Sequence, residues 1–534
     1  MEVGGQPGIP DRDADCVAEA SGVERSSGRN RPLQARDVQL YRVCEDLTEV
    51  LIYAMVVFGP WAFGTTQPWS VWIMNGAGYL LGIALACKLN IRRLKGYHPP
   101  RWDDGGGDST GPRLLMSSRL TAGLAWLTVA ILAYCLISAV NAYSTYHRED
   151  LSFASHRCLK WLPHSFDGAR TWLAFWTYLG LALSFWAIRD WLLGKAEGEL
   201  RGQRRKSQLG GDQSVLLLPA RLRRLLWVLA LNGTLLGLEG IAQRLQGGGK
   251  LLFLVKPRVN PDAVTQFGPY AYRANASQYF NLLWPVCLGF WWTLNRSLGF
   301  RHKAHHLILA GCAVMAACPI ISTSRAGALI TVGIVVLAAL ALSATHFLLA
   351  AHREHDRRTR NLTLTCLILF FTGALVLGFA LGWKSLKPRM AQLSEGFETR
   401  QAMYDAARPM ATDYPLFGTG PGTFESVFQL YRNSTDTYWP AQLHNDWLET
   451  RITFGCLGSV LIALVLVAVV LRWFAPGGIH GGRRFIILIW LALAGCLVHA
   501  RYDFPFQVHS IVFLFLVLCA ILFVLTRRPW RGAG

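Results

Sequence analysis

The chain has 534 residues, of which 52% are hydrophobic, and it carries a formal net charge of +20. That length allows several soluble domains, but the mean hydropathy of +0.28 and long uncharged runs such as 461–471 and 511–525 exclude an ordinary soluble enzyme and indicate a membrane protein. The basic excess does not indicate nucleic acid, because most of it falls in alternate connections between the apolar runs.

In chain order, residues 1–45 are rich in Gly, Asp, Arg and Ser and read as a disordered cytoplasmic tail, with no signal peptide ahead of the first span. Apolar cores follow near 46–64, 69–89, 119–140, 171–193, 222–245, 276–294, 304–321, 325–350 and 362–383. After a long loop at 384–446 come three more, near 447–473, 484–500 and 509–526, with a short tail closing the segment 447–534. The expected architecture is an all-α polytopic membrane protein of about twelve transmembrane helices, nine of them in 46–383, since roughly 20 apolar residues cross the hydrocarbon. The pair at 304–321 and 325–350, with Pro319 and a very short connection, also fits a re-entrant hairpin.

Charge orients the bundle. With a cytoplasmic N-terminus the inside segments hold Arg92, Arg93 and Lys95, then Arg201, Arg204, Arg205 and Lys206, then Arg353, Arg357, Arg358 and Arg360, then Arg527, Arg528 and Arg531. This obeys the positive-inside rule with both termini cytoplasmic. The twelve cysteines fall almost wholly in spans or inside segments, with Cys158 nearly alone outside, so no disulfide framework is implied.

The outside loops hold the residues that topology does not explain. In the long loop, Arg400, Tyr404 and Arg408 share one helical face, with Ala402, Met403, Ala406 and Met410 opposite, which predicts an amphipathic helix at the membrane surface. Its arginines meet headgroups or a specific anion. Next comes a glycine-rich turn, Asp413-Tyr-Pro-Leu-Phe-Gly418-Thr-Gly420-Pro-Gly422-Thr-Phe424, which lacks the strand-to-helix setting of nucleotide loops and reads as tight packing more than a phosphate cradle. The loop ends at His444-Asn445-Asp446-Trp447-Leu448-Glu449, before an apolar helix that runs on through Gly455 and Gly458. A histidine there meets the positive end of the helix dipole, which favours a neutral ring able to accept a proton. It serves as a general base, a cap or a hydrogen-bond partner. Arg273 precedes the sixth span. Arg325, in Ser322-Thr-Ser324-Arg325, lies between apolar stretches, where an arginine either snorkels to headgroups or lines a polar functional cavity.

Taken together these segments resemble the O-antigen ligase and polymerase superfamily, membrane proteins that move lipid-linked glycans. The resemblance rests on Phe58-Gly-Pro-Trp-Ala-Phe-Gly64, Ser138-Ala-Val-Asn141-Ala142, Phe267-Gly-Pro-Tyr-Ala-Tyr-Arg273-Ala-Asn275, Ser322-Thr-Ser-Arg325-Ala-Gly327, Arg400 with the glycine-rich turn, and His444 to Glu449. One departure is Ala276-Ser277 after Asn275. The resemblance implies a metal-independent, cofactor-free glycosyltransferase of the bacterial inner membrane with a periplasmic site. Its donor is an undecaprenyl-pyrophosphate-linked glycan, attacked with inversion by an acceptor hydroxyl. It assigns Arg273, Arg325 and Arg400 to the pyrophosphate and His444 to the base. Asn275, Ser324, Tyr404, Gly420, Gly422, Asn445 and Glu449 take supporting positions. Arginine suits this chemistry because its planar fork binds phosphate oxygens bidentately as negative charge develops on the leaving group.

The first outside loop, Thr65-Thr-Gln-Pro68, holds no carboxylate, which agrees with an expectation of no metal. The acceptor stays open: lipid A core for a ligase, a glycan chain end for a polymerase, or a protein for an oligosaccharyltransferase. The bilayer is the remaining partner, and no nucleic acid is expected. The rival class, a secondary transporter, calls for internal repeats and mid-membrane ionisable residues. Glu239 is the main residue of that kind, and no repeat is evident.

Overall fold

A computed structural model describes residues 32–103, 112–199, 218–298, 304–350, 357–432, 440–474, 479–480 and 482–526. The first 31 residues, Arg201 to Lys206, Arg353, Arg527, Arg528 and Arg531 therefore lie outside the described residues.

Apolar runs with no water-facing alternative satisfy their backbone only as helices, and helices occupy all twelve expected segments. They are α1 (Ala35–Trp61), α2 (Pro68–Leu94), α3 (Pro112–Val140), α4 (Gly168–Leu193), α5 (Ala220–Gln246), α6 (Arg273–Leu298), α7 (His306–Ile321), α8 (Arg325–Ala350) and α9 (Arg357–Ala391). The long loop contributes α10 (Leu393–Asp413) and a single turn, α11 (Phe424–Val427). The last three are α12 (Asp446–Phe474), α13 (Arg483–His499) and α14 (His509–Val524). Among the described residues, seven helices are long and apolar enough to cross a membrane: those at 68–94, 118–140, 168–193, 220–246, 325–343, 361–391 and 446–472. α7 and α14 are apolar but have 16 residues each, about 24 Å at 1.5 Å per residue. A small antiparallel hairpin, β1 (Ser144–His147) with β2 (Ser152–Ser155), occupies the loop between α3 and α4.

The centre of the bundle is α6. Leu282, Leu283, Trp284, Val286, Cys287, Leu288, Phe290 and Trp291 are all fully buried, so this helix is apolar on every side, as a core helix must be. It packs against α5, α7, α8, α13 and α14, which fixes the position of Tyr272 and Arg273 at its start.

Three expectations need correction. α1 begins at Ala35, inside the segment read as a tail. Gln34 and Asp37 cap it reciprocally, and Lys95 pairs with Asp37 at 3.3 Å. Arg92, read as a purely topological charge, belongs to a buried ion network. Asp190 takes Arg92 at 2.7 Å, Arg101 at 2.8 Å and the fully buried Lys88 at 3.1 Å, and Lys88 also meets Glu45 at 3.2 Å.

The third correction concerns α12, which does not run unbroken. At Gly455 the backbone turns to φ 59° and ψ −163°, a region essentially reserved for glycine. The glycine-rich turn occupies the break. Thr419 N and Gly420 N donate to the carbonyls of Ile452 and Thr453 at 2.9 and 3.0 Å, while Cys456 N and Leu457 N donate to Pro415 and Leu416 at 2.9 and 3.1 Å. A side chain at Gly455 would run into the Leu416 carbonyl. Tyr134 OH closes the joint, donating to Phe417 O at 2.5 Å and Phe454 O at 3.0 Å. The turn is thus a stitch holding the loop to a kinked helix, in agreement with the packing reading.

Candidate active site

The loops flanking the glycine-rich turn gather at one end of the bundle around α10. Tyr404, Ala407 and Met410 form its buried stripe, packed with Phe424, Val427, Phe428, Leu443 and Ile452. Tyr404 therefore shares a face with Met410 instead of opposing it. The hydrophobic side was assigned too narrowly, because a tyrosine buries its ring while its hydroxyl finds a partner. Here that partner is the His444 carbonyl at 2.7 Å. Arg400 lies one turn before Tyr404 and is part-buried, whereas Arg408 is exposed and pairs locally with Asp405 at 2.7 Å.

The three arginines expected at the site converge. Arg325 opens α8 two residues after Thr323, whose φ is 62°, and Ser324 caps that helix by accepting from Gly327 N at 3.2 Å. The Arg325 guanidinium donates to Gln392 O at 2.6 Å, in the break between α9 and α10, and lies against Gly396 in the first turn of α10, where a side chain would push it aside. Arg273 donates to Val264 O at 2.7 Å. Arg400 donates to the Tyr502 carbonyl and, at 3.4 Å, to Tyr272 OH.

All three line one cavity of about 900 Å³, joined by a fourth arginine, Arg389, from the last turn of α9. Arg389 Nη1 is buried without a hydrogen-bond partner. Leu329, Ile330, Leu393, Phe397 and Val498 make an apolar wall, and Asp503 is the single acidic residue among the described lining residues. Four guanidinium groups against one carboxylate leave a strongly positive space beside an apolar one. That combination suits a multiply charged phosphate group on a lipid.

Asp503 organises the rest. It is only 2% exposed. One oxygen lies 2.9 Å from His444 Nδ1. The other accepts from Tyr272 OH at 3.2 Å and lies 3.7 Å from Arg400 Nη2. Burial pushes the Asp503 carboxyl up, but the hydrogen bond to His444 and the charges of His444 and Arg400 outweigh it and hold the group below the usual carboxylate range. Burial pushes the Tyr272 phenol up, with Asp503 adding to the effect, so this hydroxyl stays protonated and donates. For Arg400 burial works against the charge, and Asp503 and the nearby tyrosines more than restore it.

His444 itself has φ 58°, a conformation that a bulky residue holds only when its surroundings impose it. Phe504 packs edge-on against its ring at 4.7 Å, and Tyr272, stacked on Phe504 at 5.5 Å, approaches at 6.0 Å. His444 is not among the residues lining the cavity and connects to it through Asp503 and Tyr272. The feature that orients its ring is therefore the Asp503 carboxylate more than the helix end. With Nδ1–H donated to Asp503, Nε2 is the nitrogen available to accept a proton, as in other carboxylate–histidine pairs.

The remaining expected residues divide by place. Asn445 caps α12, its Oδ1 accepting from Leu448 N at 3.2 Å, and the buried Glu449 reaches back to accept from Leu443 N at 2.8 Å. Both act as caps beneath His444. Asp446, not singled out beforehand, accepts from Phe506 N at 2.7 Å while its own N–H donates to Ala500 O at 2.8 Å, clamping the Asp503 loop onto the histidine segment. Asn275 is buried in the first turn of α6, its Oδ1 without a hydrogen-bond partner, and does not line the cavity. Gly420 and Gly422 face Ser165 and the Arg170 segment of α4 and also lie away from it. Two central residues escaped the sequence reading. Asp503 is the one carboxylate in the short loop 501–508, and Arg389 follows Lys384 and Lys387 in a loop that the charge pattern reads as outside, where basic residues are disfavoured.

Residues 310–463, under a third of the chain, match the family model described as O-Antigen ligase. The match includes Arg325, Arg389, Arg400 and His444 and ends before Asp503. No curated protein matches the chain.

Proposed function

Through residues 310–463 the chain belongs to the O-antigen ligase superfamily, and on that premise we propose that it is a metal-independent inverting glycosyltransferase of the bacterial inner membrane. It moves an undecaprenyl-pyrophosphate-linked glycan to an acceptor hydroxyl on the periplasmic face, with lipid A core as the acceptor. The observation that carries this reading is the junction of a four-arginine cavity with an oriented His444–Asp503 pair.

The acceptor hydroxyl attacks the anomeric carbon of the donor sugar. Its O–H proton passes to His444 Nε2, a C–O bond forms, and the bond from the anomeric carbon to the pyrophosphate oxygen breaks. The electron pair leaves with the pyrophosphate, whose added charge Arg273, Arg325, Arg389 and Arg400 are placed to take up. Asp503 steadies the imidazolium formed at His444 and keeps Nδ1 as its donor. The apolar wall of Leu329, Leu393, Phe397 and Val498 is suited to the first isoprene units of the donor. Ligase and polymerase share every one of these steps and part only at the acceptor.

The test is transfer in vitro from a lipid-linked glycan, with and without chelator, offering lipid A core and free glycan chain ends as separate acceptors. Transfer to lipid A core that withstands chelator and is abolished by Arg325→Ala and by His444→Ala is expected. Transfer only to chain ends replaces the ligase reading with the polymerase one. Unchanged transfer by both variants removes the site assignment.

A further inference from the structure

Between α5 and α6 the chain makes a tight loop whose side chains run against its backbone. Leu252 and Phe253 both have left-handed φ, 52° and 62°, a conformation glycine or asparagine adopts readily and bulky residues avoid. A turn of this shape facing water is expected to carry Gly or Asn. This one carries Leu-Phe and continues with Leu254 and Val255, and Phe253, Leu254 and Val255 are 41%, 76% and 46% exposed. The strain is sustained at a tip whose apolar side chains are exposed.

The loop is closed by its own backbone bonds. Leu251 N donates to Val255 O at 2.8 Å, Val255 N returns to Leu251 O at 3.1 Å, and Leu254 N also donates to Leu251 O at 3.0 Å. Gln243 Nε2 covers the Lys250 carbonyl at 3.0 Å. The N–H groups of Leu252 and Phe253 have no backbone partner within the loop, so a segment that points apolar side chains outward while its peptide groups still need solvent belongs at the boundary between headgroups and hydrocarbon, where water reaches the backbone. Exposed Lys250, Lys256 and Arg258 flank it on both sides. The loop also follows a spanning helix at once, and α5 carries an outward stripe of Leu231, Leu235, Leu238 and Leu245 at lipid-facing spacing.

We infer that residues 253–255 are a wedge set into the headgroup boundary of the membrane leaflet on the cavity's side, with Lys250, Lys256 and Arg258 on phosphate headgroups. Apolar tip and cationic flanks together match the two layers of a leaflet, which a protein partner has no reason to reproduce. The same α5–α6 connection continues to the cavity. Arg273 holds the Val264 carbonyl, while Arg244 holds those of Ala263 and Gln266 at 3.1 and 2.8 Å and that of Ser322 at 3.2 Å, just before Arg325.

The test places the photoreactive residue p-benzoylphenylalanine at Leu254 in the full chain, reconstituted in bilayers of phosphatidylethanolamine and phosphatidylglycerol. Adducts are read by mass spectrometry. Val336, on the lipid-facing side of α8 and 49% exposed, is the positive control, and Leu151, 63% exposed in the hairpin turn after the exposed charges Arg148, Glu149 and Asp150, is the position expected to face water. A phospholipid adduct at 254 and 336 but not at 151 is expected. Replacing Lys250, Lys256 and Arg258 together by Gln should lower the yield at 254 severalfold in the anionic bilayer and leave it unchanged in phosphatidylcholine. A protein adduct at 254, or no lipid adduct there while 336 reacts, overturns the wedge. A yield indifferent to the three cations overturns the headgroup contacts.

Discussion

Replacing Asp503 by Asn probes the site at its most buried charge. The amide keeps the volume of the carboxylate but loses the charge that faces His444 at 2.9 Å and Arg400 at 3.7 Å. Its NH2 group can also donate toward Nδ1, which would shift the ring proton to Nε2 and remove the lone pair needed by the acceptor hydroxyl. A misheld general base loses about 10² to 10⁴ in rate, or about 2.7 to 5.5 kcal/mol of barrier at ~1.4 kcal/mol per tenfold. The donor KM should not rise, because all four arginines remain. Stability follows with a definite sign. The folded carboxyl is held below its ordinary range, so the stabilisation it provides is complete above about pH 4 and is lost as pH falls through the depressed folded value. Single-turnover transfer and thermal unfolding in detergent, at pH 7 and again near pH 3, test both parts. The expected result is a large fall in kcat, with an unfolding-temperature gap from the unsubstituted protein that is present at pH 7 and narrows in acid. A folded Asp503→Asn protein with kcat within a few-fold of the original, or a gap that widens in acid, refutes the reasoning.

The double variant Asp503→Asn, His444→Ala should be no slower than His444→Ala alone, since the two residues act as a unit; additive losses in transfer rate would separate them. Arg389→Ala should raise the donor KM by about tenfold or more, the ~1.5–3 kcal/mol of a charged hydrogen bond, and Arg389→Lys should recover little of it; an unchanged donor titration removes Arg389 from the cavity's chemistry. Gly455→Ala should destabilise by roughly 1–3 kcal/mol or more from backbone conformation alone, read as a lowered unfolding temperature, because the Leu416 carbonyl also blocks the new methyl group. Asp446→Ala leaves Phe506 N without its acceptor, a loss of about 1–3 kcal/mol. Its kcat should fall with donor KM unchanged as the Asp503 loop loosens, and a wild-type kcat would show that the clamp does not position Asp503.

What could be read along the chain was whatever depends on neighbours in sequence. Twelve helical segments follow from apolar runs, because an uninterrupted hydrophobic stretch has one way to satisfy its backbone in lipid. Arg325 stood out because it interrupts such a stretch, and His444 because it precedes the start of one. The break of α12 was not visible, since Gly455 in an apolar run reads as a tolerated glycine until the turn at 415–420 is seen bonded into it. The face of α10 was misjudged for a similar reason: whether Tyr404 is surface or core depends on Phe424, Phe428 and Leu443 packing against it.

The pairing of His444 with Asp503 belongs wholly to the tertiary structure. The two residues are 59 positions apart and meet because Asp446 holds Phe506 and the Ala500 carbonyl, bringing the loop between α13 and α14 over the start of α12. Hydropathy and charge sum over a window and survive without knowledge of neighbours. A hydrogen bond of 2.9 Å requires two backbones to be placed to a fraction of an ångström, and only the packed bundle does that.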